Sequence, residues 1–248
     1  MGDSVMKRLL SLGVALAAAW IVPALAADLP VKTPILPFSY WEWTGCYIGA
    51  QGGGNWGRAH NNDITFPLIG VPVTNPYNLS GGLAGGTVGC IYQSWKWVFG
   101  IEADASWTNK SGIANEIPPF NTAATFGVRE RWIDTLRGRL GFKFGAQDQF
   151  LLYMTGGAAA AGVTATTCLP SVFCASASNT MTGWTAGGGG EWAVFPSMPV
   201  PHGWVSVKLE YLYVDLGSKD FLFDPTLTTN KNVSVIDHIV RAGVNWHF

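Results

Sequence analysis

Two carboxylates separated by a single residue, Glu102 and Asp104, occur in the segment "GIEADASW". Because successive side chains of a strand point to opposite faces, this spacing places both carboxylates on one face. Such a pair could divide the acid and base roles of a catalytic reaction. Arg137 and Arg139, in "TLRGRLGF", repeat the same spacing with the opposite charge. The combination favours ion pairing over catalysis, and we do not expect an enzyme.

Further charges follow the same alternation near the end of the chain, at Lys208 and Glu210 in "KLEYLYVDLG" and at Arg241 in "DHIVRAGVNWHF". Counted from the strand ends that short turns join, four of these charges lie roughly six or seven residues in, or about 20 Å. They are Glu102, Arg139, Lys208 and Arg241. Because an unpaired buried charge is costly, we predict one ion-paired layer inside the fold. Its predicted members are Glu102, Asp104, Arg137, Arg139, Lys208, Glu210 and Arg241; the alternative is a solvated sheet face with ordinary surface charges.

The cysteines and histidines could support other chemistry. Cys168 and Cys174, in "CLPSVFC", would close a small disulfide loop in an oxidising compartment. Cys46 and Cys90 lie on adjacent predicted strands, where we expect free thiols that face lipid, with a cross-strand bond as the alternative. No cysteine spacing suggests zinc, and no helix follows the glycine-rich "AGGGGEW" to cradle a phosphate. Since the histidines are also dispersed, at His60, His202, His238 and His247, we expect no metal or cofactor.

The start of the chain resembles an export signal. From Met6 to Ala26 it reads "MKRLLSLGVALAAAWIVPALA", with a basic start, an apolar run and a small-x-small cleavage site. We predict that residues 1–26 are a cleaved signal peptide and that the Pro-rich residues 27–42 form a periplasmic leader. Residues 43–248 contain no apolar stretch of about 20 residues, so no transmembrane helix is expected.

The whole chain of 248 residues has a composition suited to a sheet with one lipid-facing side. Only 12% of the residues are charged and 48% are hydrophobic, with 31 glycines and 12 tryptophans. Eight strand-like segments are separated by connections that alternate in length. The short connections are "SWK", "GAQD" and "PSMPVPH", and the long ones are Arg58 to Ser80, Thr108 to Gly127, Thr166 to Thr180 and Gly217 to Asn232. The predicted strands are Thr44 to Gly57, Gly81 to Gln93, Trp97 to Trp107, Val128 to Phe144, Gln149 to Ala165, Met181 to Phe195, Gly203 to Leu216 and Val233 to Phe248.

Short turns at one end and long loops at the other are the layout of a bacterial outer-membrane barrel. We therefore predict an all-β fold, an eight-stranded antiparallel up-and-down transmembrane β-barrel spanning residues 43–248. A secreted β-sandwich is the alternative, but it has no reason to alternate its connections in this way. The near-neutral net charge of −1 does not suggest nucleic acid as a partner.

Alternating rows predict which residues face lipid. Apolar residues point outward and polar residues inward, because hydrocarbon is the outer solvent. Asp134 and Asp215 fall on outward rows, and we place both at the outer interface. Aromatic girdles are predicted at both edges. The periplasmic girdle contains Trp43, Trp97, Phe144, Trp192, Trp204, Trp246 and Phe248, and the outer girdle contains Trp107, Trp132 and Trp184.

Ordered motifs across residues 43–248 resemble one bacterial family. They are "WTGCYIGAQGGGNWG", "GIEADASW", "TLRGRLGF", "LYMTGGAAAAG", "GWTAGGGGEWAV", "KLEYLYVDLG" and "HIVRAGVNWHF". Together they are similar to the outer-membrane immunogenic or opacity-like surface proteins of alphaproteobacteria, which are porin-family barrels of the OmpA and OmpX type. Cys46 and Cys90 stand where that family usually has an aromatic residue, and Asp134 where it often has Gly. The resemblance implies that the terminal strand, with Trp246 and Phe248, is an assembly signal read by the barrel-assembly machinery.

These features predict a structural, surface-exposed protein of the Gram-negative outer membrane with a side-chain-filled, salt-bridged lumen. The alternatives are a narrow porin for small solutes or ions and an adhesin that binds through its loops. Expected partners are outer-membrane lipid and lipopolysaccharide, together with the barrel-assembly machinery and periplasmic chaperones during insertion. We expect a monomer.

Overall fold

The computed structural model describes residues 41–170, 172–195, 203–223 and 230–248. The predicted signal peptide, the predicted leader up to residue 40, and His202 lie outside these ranges. No helix within them is long and apolar enough to cross a membrane. The strands are β1 (Gly45–Asp63), β2 (Tyr77–Ser94), β3 (Trp97–Thr108), β4 (Ser111–Asn115), β5 (Thr125–Phe144), β6 (Phe150–Leu169), β7 (Phe173–Phe195), β8 (Trp204–Phe221) and β9 (Lys231–His247).

The nine strands close into a barrel of eight. β4 continues β3 after a break at Asn109 and Lys110, since both strands pair antiparallel with β5. The order around the ring is β1-β9-β8-β7-β6-β5-β3-β2, and β1 also pairs with β2. All of these pairings are antiparallel. The predicted eight-stranded up-and-down barrel is confirmed.

The strand ends at the short turns match the prediction within one residue. β3 begins at Trp97, and β5 ends at Phe144, as predicted. The ends at the long loops extend further than predicted, by eight residues at the start of β7. The barrel wall therefore continues well beyond the length of about 9 to 11 residues that crosses the hydrocarbon.

The predicted long loop from Thr166 to Thr180 is wrong. β6 runs to Leu169 and β7 restarts at Phe173, so most of this segment forms a hairpin. Its exposed face carries hydroxyl pairs, Thr164 with Ser178 and Thr166 with Ser176, each at 2.9 Å. Because neither face of this polar segment has the apolar row of a lipid-facing strand, the sequence resembled a loop.

The interior of the barrel is filled in three layers. Near the short turns lie aromatic and aliphatic side chains that include Trp43, Tyr47 and Tyr153. The charged layer follows. Toward the long loops the interior becomes an apolar core of Leu, Val, Ile, Phe and Ala side chains that includes Phe126 and Leu212, both fully buried. This apolar third layer was not predicted, because the sequence suggested polar inward rows along the whole strand.

Most predicted girdle residues face outward, as the alternation requires. Trp97, Phe144, Trp192, Trp246, Phe248, Trp107 and Trp184 are all exposed on the wall, and Trp132 is half-buried. Asp134 is exposed on its outward row and Asp215 is half-buried. The girdle prediction is wrong for Trp43, which is fully buried, and for Trp204, which stacks on His247 with ring centroids 3.8 Å apart. Trp204 shares the inward row of Ser206 and Lys208, so its ring packs inside the barrel mouth.

Candidate functional site in the lumen

Inward rows of four strands supply the predicted charged residues. β3 carries Glu102 and Asp104, and each of β5, β8 and β9 carries at least one cation on its inward row. All seven predicted residues are buried, and the structure brings all of them into one cluster. The cluster consists of Glu102, Asp104, Arg137, Arg139, Lys208, Glu210 and Arg241, and we call it the charged layer.

Arg137 lies at the centre of the charged layer. Its Nη1 donates to Glu210 Oε1 at 2.9 Å, and its Nη2 contacts Asp104 Oδ2 at 3.0 Å. The same guanidinium forms an ion pair with Glu102. Its Nε donates to Thr135 Oγ1 at 2.9 Å and its Nη1 to Thr155 Oγ1 at 3.4 Å, so a single side chain connects three carboxylates and two hydroxyls.

Arg241 and Lys208 complete the connections between strands. Arg241 Nη1 lies 2.8 Å from Asp104 Oδ1, and its Nη2 lies 2.7 Å from Glu210 Oε2. Lys208 Nζ lies 3.1 Å from Glu102 Oε2. The layer thus cross-links β3, β5, β8 and β9 by side chains alone.

Three buried residues that contact this layer were not predicted from the sequence. Glu191 Oε2 lies 2.8 Å from Arg139 Nη2, and Tyr47 Oη accepts from Arg139 Nη1 at 2.6 Å. The ring of Tyr153 lies 3.8 Å from the guanidinium carbon of Arg139. Glu191 was missed because it follows a run of glycines, although its inward parity with Gly189 and Gly187 in β7 would have identified it.

Including Glu191, four carboxylates meet four cations inside the barrel. Each carboxylate has at least one cation within ion-pairing distance. Such a balanced cluster satisfies its own charges and favours cross-linking over proton transfer. Within the described ranges, no group of three or more His, Cys, Asp or Glu side chains could hold a metal ion.

Two further ion-paired groups lie beyond the charged layer, toward the long loops. Lys110, in the break between β3 and β4, reaches inward to Glu130 at 2.7 Å and also pairs with Asp237. Lys231 pairs with Glu116 near the far end of the barrel. These groups are embedded in the apolar core and were not predicted.

Another group of ion pairs lies at the end of the barrel where the short turns are. Asp148, in the turn after β5, lies 2.5 Å from Lys96 Nζ and 3.2 Å from Lys143 Nζ. Burial raises the pKa of Asp148, but the hydrogen bonds and charges of the two lysines outweigh burial and hold the pKa below its ordinary value. Trp43 Nε1 donates to the backbone oxygen of Asp148 at 2.9 Å, which fixes the indole across the mouth.

All four cysteines form disulfides. The structure pairs Cys168 with Cys174 across the β6–β7 hairpin, as the sequence suggested. The expectation of free thiols at Cys46 and Cys90 is wrong, because these residues are bonded to each other. Both backbone groups of Cys46 hydrogen-bond to Phe248, so Cys46 faces Cys90 as a non-hydrogen-bonded pair. Side chains approach most closely in such pairs.

The terminal residues close the ring. Phe248 donates its N–H to the oxygen of Cys46 at 2.9 Å and accepts from the N–H of Cys46 at 3.3 Å. Trp246 pairs with Ile48 in the β1–β9 register. The rings of Trp246 and Phe248 lie 5.4 Å apart on the outer wall.

A family model and curated relatives agree with this architecture. A family model described as an outer membrane protein beta-barrel domain matches residues 12–248. The 31 kDa outer-membrane immunogenic protein of Brucella melitensis is 30% identical over 253 residues, covering 94% of this chain and 97% of that protein. The 22 kDa outer membrane protein of Rhizobium leguminosarum bv. viciae is 27% identical, covering 78% and 72%. The crystal structure of OprG from Pseudomonas aeruginosa aligns with a TM-score of 0.42 at 13% identity, covering 84% of this chain and 98% of that chain.

Proposed function

Because the chain belongs to the outer membrane protein β-barrel domain family and is an outer-membrane protein, we propose that its role there is structural. It is a surface-exposed structural protein of the outer membrane, and its lumen does not conduct ions or small solutes. The observation that carries this proposal is the continuous filling of the lumen by three layers of side chains. They are the aromatic layer near the short turns (Trp43, Tyr47 and Tyr153), which we call the aromatic mouth, the charged layer and the apolar core. An eight-stranded barrel has an interior just wide enough for side chains to fill.

Planar-bilayer recording tests the proposal against a narrow porin. The refolded protein is first shown to be inserted by its change in gel mobility on heating, which folded outer-membrane barrels display. We expect no unitary current steps above the lipid baseline. Reproducible unitary steps that are absent from protein-free bilayers would overturn the structural role and favour the porin.

A second candidate role, surface binding, is favoured by the β6–β7 hairpin. Its tip is tied by the Cys168–Cys174 bond and exposes Val172 by 70% and Phe173 by 40%. Exposed apolar side chains on a tip held in place are suited to contact another protein. If the hairpin is adhesive, replacing Val172 and Phe173 by Ser should reduce the attachment of whole bacterial cells to a protein-coated surface. Unchanged attachment would remove this role.

We also propose that the barrel-assembly machinery recognises the terminal strand through Trp246 and Phe248. The two rings project side by side from the wall at the seam, where a recognition factor could reach them before closure. Deleting Phe248 should reduce the yield of assembled barrel in cells more than it lowers the stability of barrels already inserted. Equal yields of the deleted and intact chains would contradict this proposal.

A further inference from the structure

A groove of about 740 Å³ lies on the outer wall, across β2, β1, β9 and β8. It consists of two rows of outward side chains that the strand register aligns. The row nearer the membrane centre contains Ser80, Trp56, His238 and Tyr213, and the row beyond it contains Asn78, Arg58 and Ile236. The proposed structural role uses none of these residues.

The first row forms an aromatic shelf. The rings of Trp56 and His238 are stacked with centroids 6.4 Å apart, and Tyr213 packs edge-on against His238 at 5.5 Å. Tyr211 Oη is hydrogen-bonded to His238 Nδ1 at 2.7 Å, which fixes the imidazole. Trp56 remains 45% exposed, so a broad ring face is available to a ligand.

The second row provides a cation that has no acidic partner among the described residues. Arg58 is exposed and takes part in none of the ion pairs formed among the described residues. The acid at the same level is Asp215, which is separated from Arg58 by the strand of Ile236, or about 10 Å at the usual strand spacing. Asp215 Oδ1 already accepts from the N–H of Gly217 at 2.8 Å. The groove therefore offers a guanidinium and the polar side chains of Asn78 and Ser80 to an anion.

The position of Arg58 along the barrel axis indicates which anions it can reach in the membrane. Arg58 lies thirteen residues beyond Gly45, the first residue of β1, and Arg131 lies thirteen residues from Phe144, the corresponding end of β5. For a strand tilted by about 40°, that length corresponds to roughly 33 Å, which exceeds the apolar band of about 25 Å. Both guanidiniums are thus level with the head groups of the outer leaflet.

The Arg131 side of the barrel repeats this arrangement on a smaller scale. A bulge between Glu130 and Trp132 breaks the pairing with β6 at this point. Arg131 and Trp132 line a second groove of about 260 Å³ together with Thr164, Ser178 and Thr180. An arginine beside a tryptophan thus occurs twice at the same height.

We propose that the Arg58 groove binds a phosphate group of an outer-leaflet lipid. The guanidinium of Arg58 pairs with the phosphate, since arginine can contact phosphate through two parallel hydrogen bonds. The head group lies against Trp56, and the acyl chains run toward the membrane centre over Gly54 and Gly82. A side-chain carbon at Gly54 would meet no atom closer than 3.9 Å, so this part of the wall is bare. The apolar continuation favours a lipid over a free phosphate ion.

Lipid titration in detergent, followed by native mass spectrometry, tests this site. The probes are lipid A carrying both phosphates, the same lipid without phosphates, and inorganic phosphate as a competitor. Arg58→Ala is compared with Arg129→Ala, an exposed arginine on β5 that lines neither groove. Both variants carry Arg131→Ala so that the smaller groove does not contribute, and both must show the heat-dependent gel shift of a folded barrel.

Relative to the chain that carries Arg131→Ala alone, we expect Arg58→Ala to weaken binding of the phosphorylated lipid by about tenfold or more, as for the loss of a charged hydrogen bond. Arg129→Ala should change it less than about twofold, as for an exposed side chain without a partner. The dephosphorylated lipid should not distinguish the two variants. An equal loss in both variants, or equal affinity for the two lipids, would overturn the proposal. If inorganic phosphate competes at the same concentration as the lipid, the groove is a site for free phosphate and the proposal of a lipid ligand is overturned.

Discussion

Arg137 connects three carboxylates of the charged layer at once, so its removal should be more damaging than removal of any single ion pair. Arg137→Ala leaves Glu102, Asp104 and Glu210 with fewer cations in a buried environment. Breaking a buried pair in this way costs about 3–5 kcal/mol of unfolding free energy. Urea unfolding in detergent measures the loss. The matched control, Arg129→Ala on the exposed face of the same strand, should change stability by less than about 0.5 kcal/mol.

The comparison also separates two views of the charged layer. If the layer were hydrated like a protein surface, both arginines would be replaceable at similar cost. Equal unfolding midpoints for the two variants would therefore contradict a dry, ion-paired interior. The sequence was sufficient for this part of the site, because Arg137 and Glu102 already showed opposite charges on inward rows. The signal for Glu191 was weaker, because its glycine neighbours concealed an alternation that only its parity with Gly187 and Gly189 carries.

Asp148 should make the stability of the barrel depend on acid pH. Because the pKa of Asp148 is lower in the folded protein, its contribution is fully present above the ordinary carboxyl pKa and is lost as the pH falls through the lowered value. The stability difference between the wild type and Asp148→Asn should thus be constant near neutrality and shrink from roughly pH 4 downward. Asn also tolerates the positive φ of 57° at this position. Urea midpoints across this range provide the measurement, and a difference independent of pH would contradict the lysine contacts.

At the scale of elements, the two disulfides differ in the length of chain that they close. Cys46 and Cys90 are 44 residues apart and join β1 to β2, whereas Cys168 and Cys174 are 6 apart within one hairpin. The entropy of loop closure predicts a stabilisation of about 4 kcal/mol for the first and about 2 kcal/mol for the second. Replacing each pair by Ser and measuring unfolding in detergent should reproduce that order. A larger loss for the hairpin pair would show that strain or packing, rather than chain entropy, dominates.

The sequence predicts the strand ends better at the short turns than at the long loops. At the short turns, lipid-facing rows end abruptly at aromatic residues such as Trp97 and Phe144, and the predicted boundaries agree within one residue. Beyond the outer girdle the wall faces water, so its outward residues become polar, as at Thr166 and Ser176. Apolar-out alternation stops there although the strand continues. The missed extensions of β6 and β7 follow directly from this change of solvent.

At the scale of the whole molecule, the two halves of the barrel differ in their surroundings and in their interiors. In its membrane half, lipid lies outside and ion pairs lie inside. In its outer half, the interior contains apolar residues such as Phe126 and Leu212, as in the core of a soluble protein. The sequence predicted the first half through its inverted alternation. The second half required knowledge of where the membrane ends, since the inward rows of β5, β8 and β9 change from charged residues to mostly apolar ones toward the long loops.

Under the proposed structural role, the three layers act as barriers to ion flow in series, which leads to a prediction about the aromatic layer near the short turns. Trp43 is fully buried across the short-turn end, and its ring packs edge-on against Trp204 at 5.0 Å. Trp43→Ala should lower the unfolding free energy by about 3–5 kcal/mol, because it empties a packed site. It should still give no unitary current in planar bilayers, since the charged layer and the apolar core remain filled. Trp246→Ala, which removes an indole from the lipid face, is the control for general loss of aromatic anchoring. Current steps in the Trp43 variant alone would mean that the aromatic mouth is the sole barrier and that the lumen above it is open.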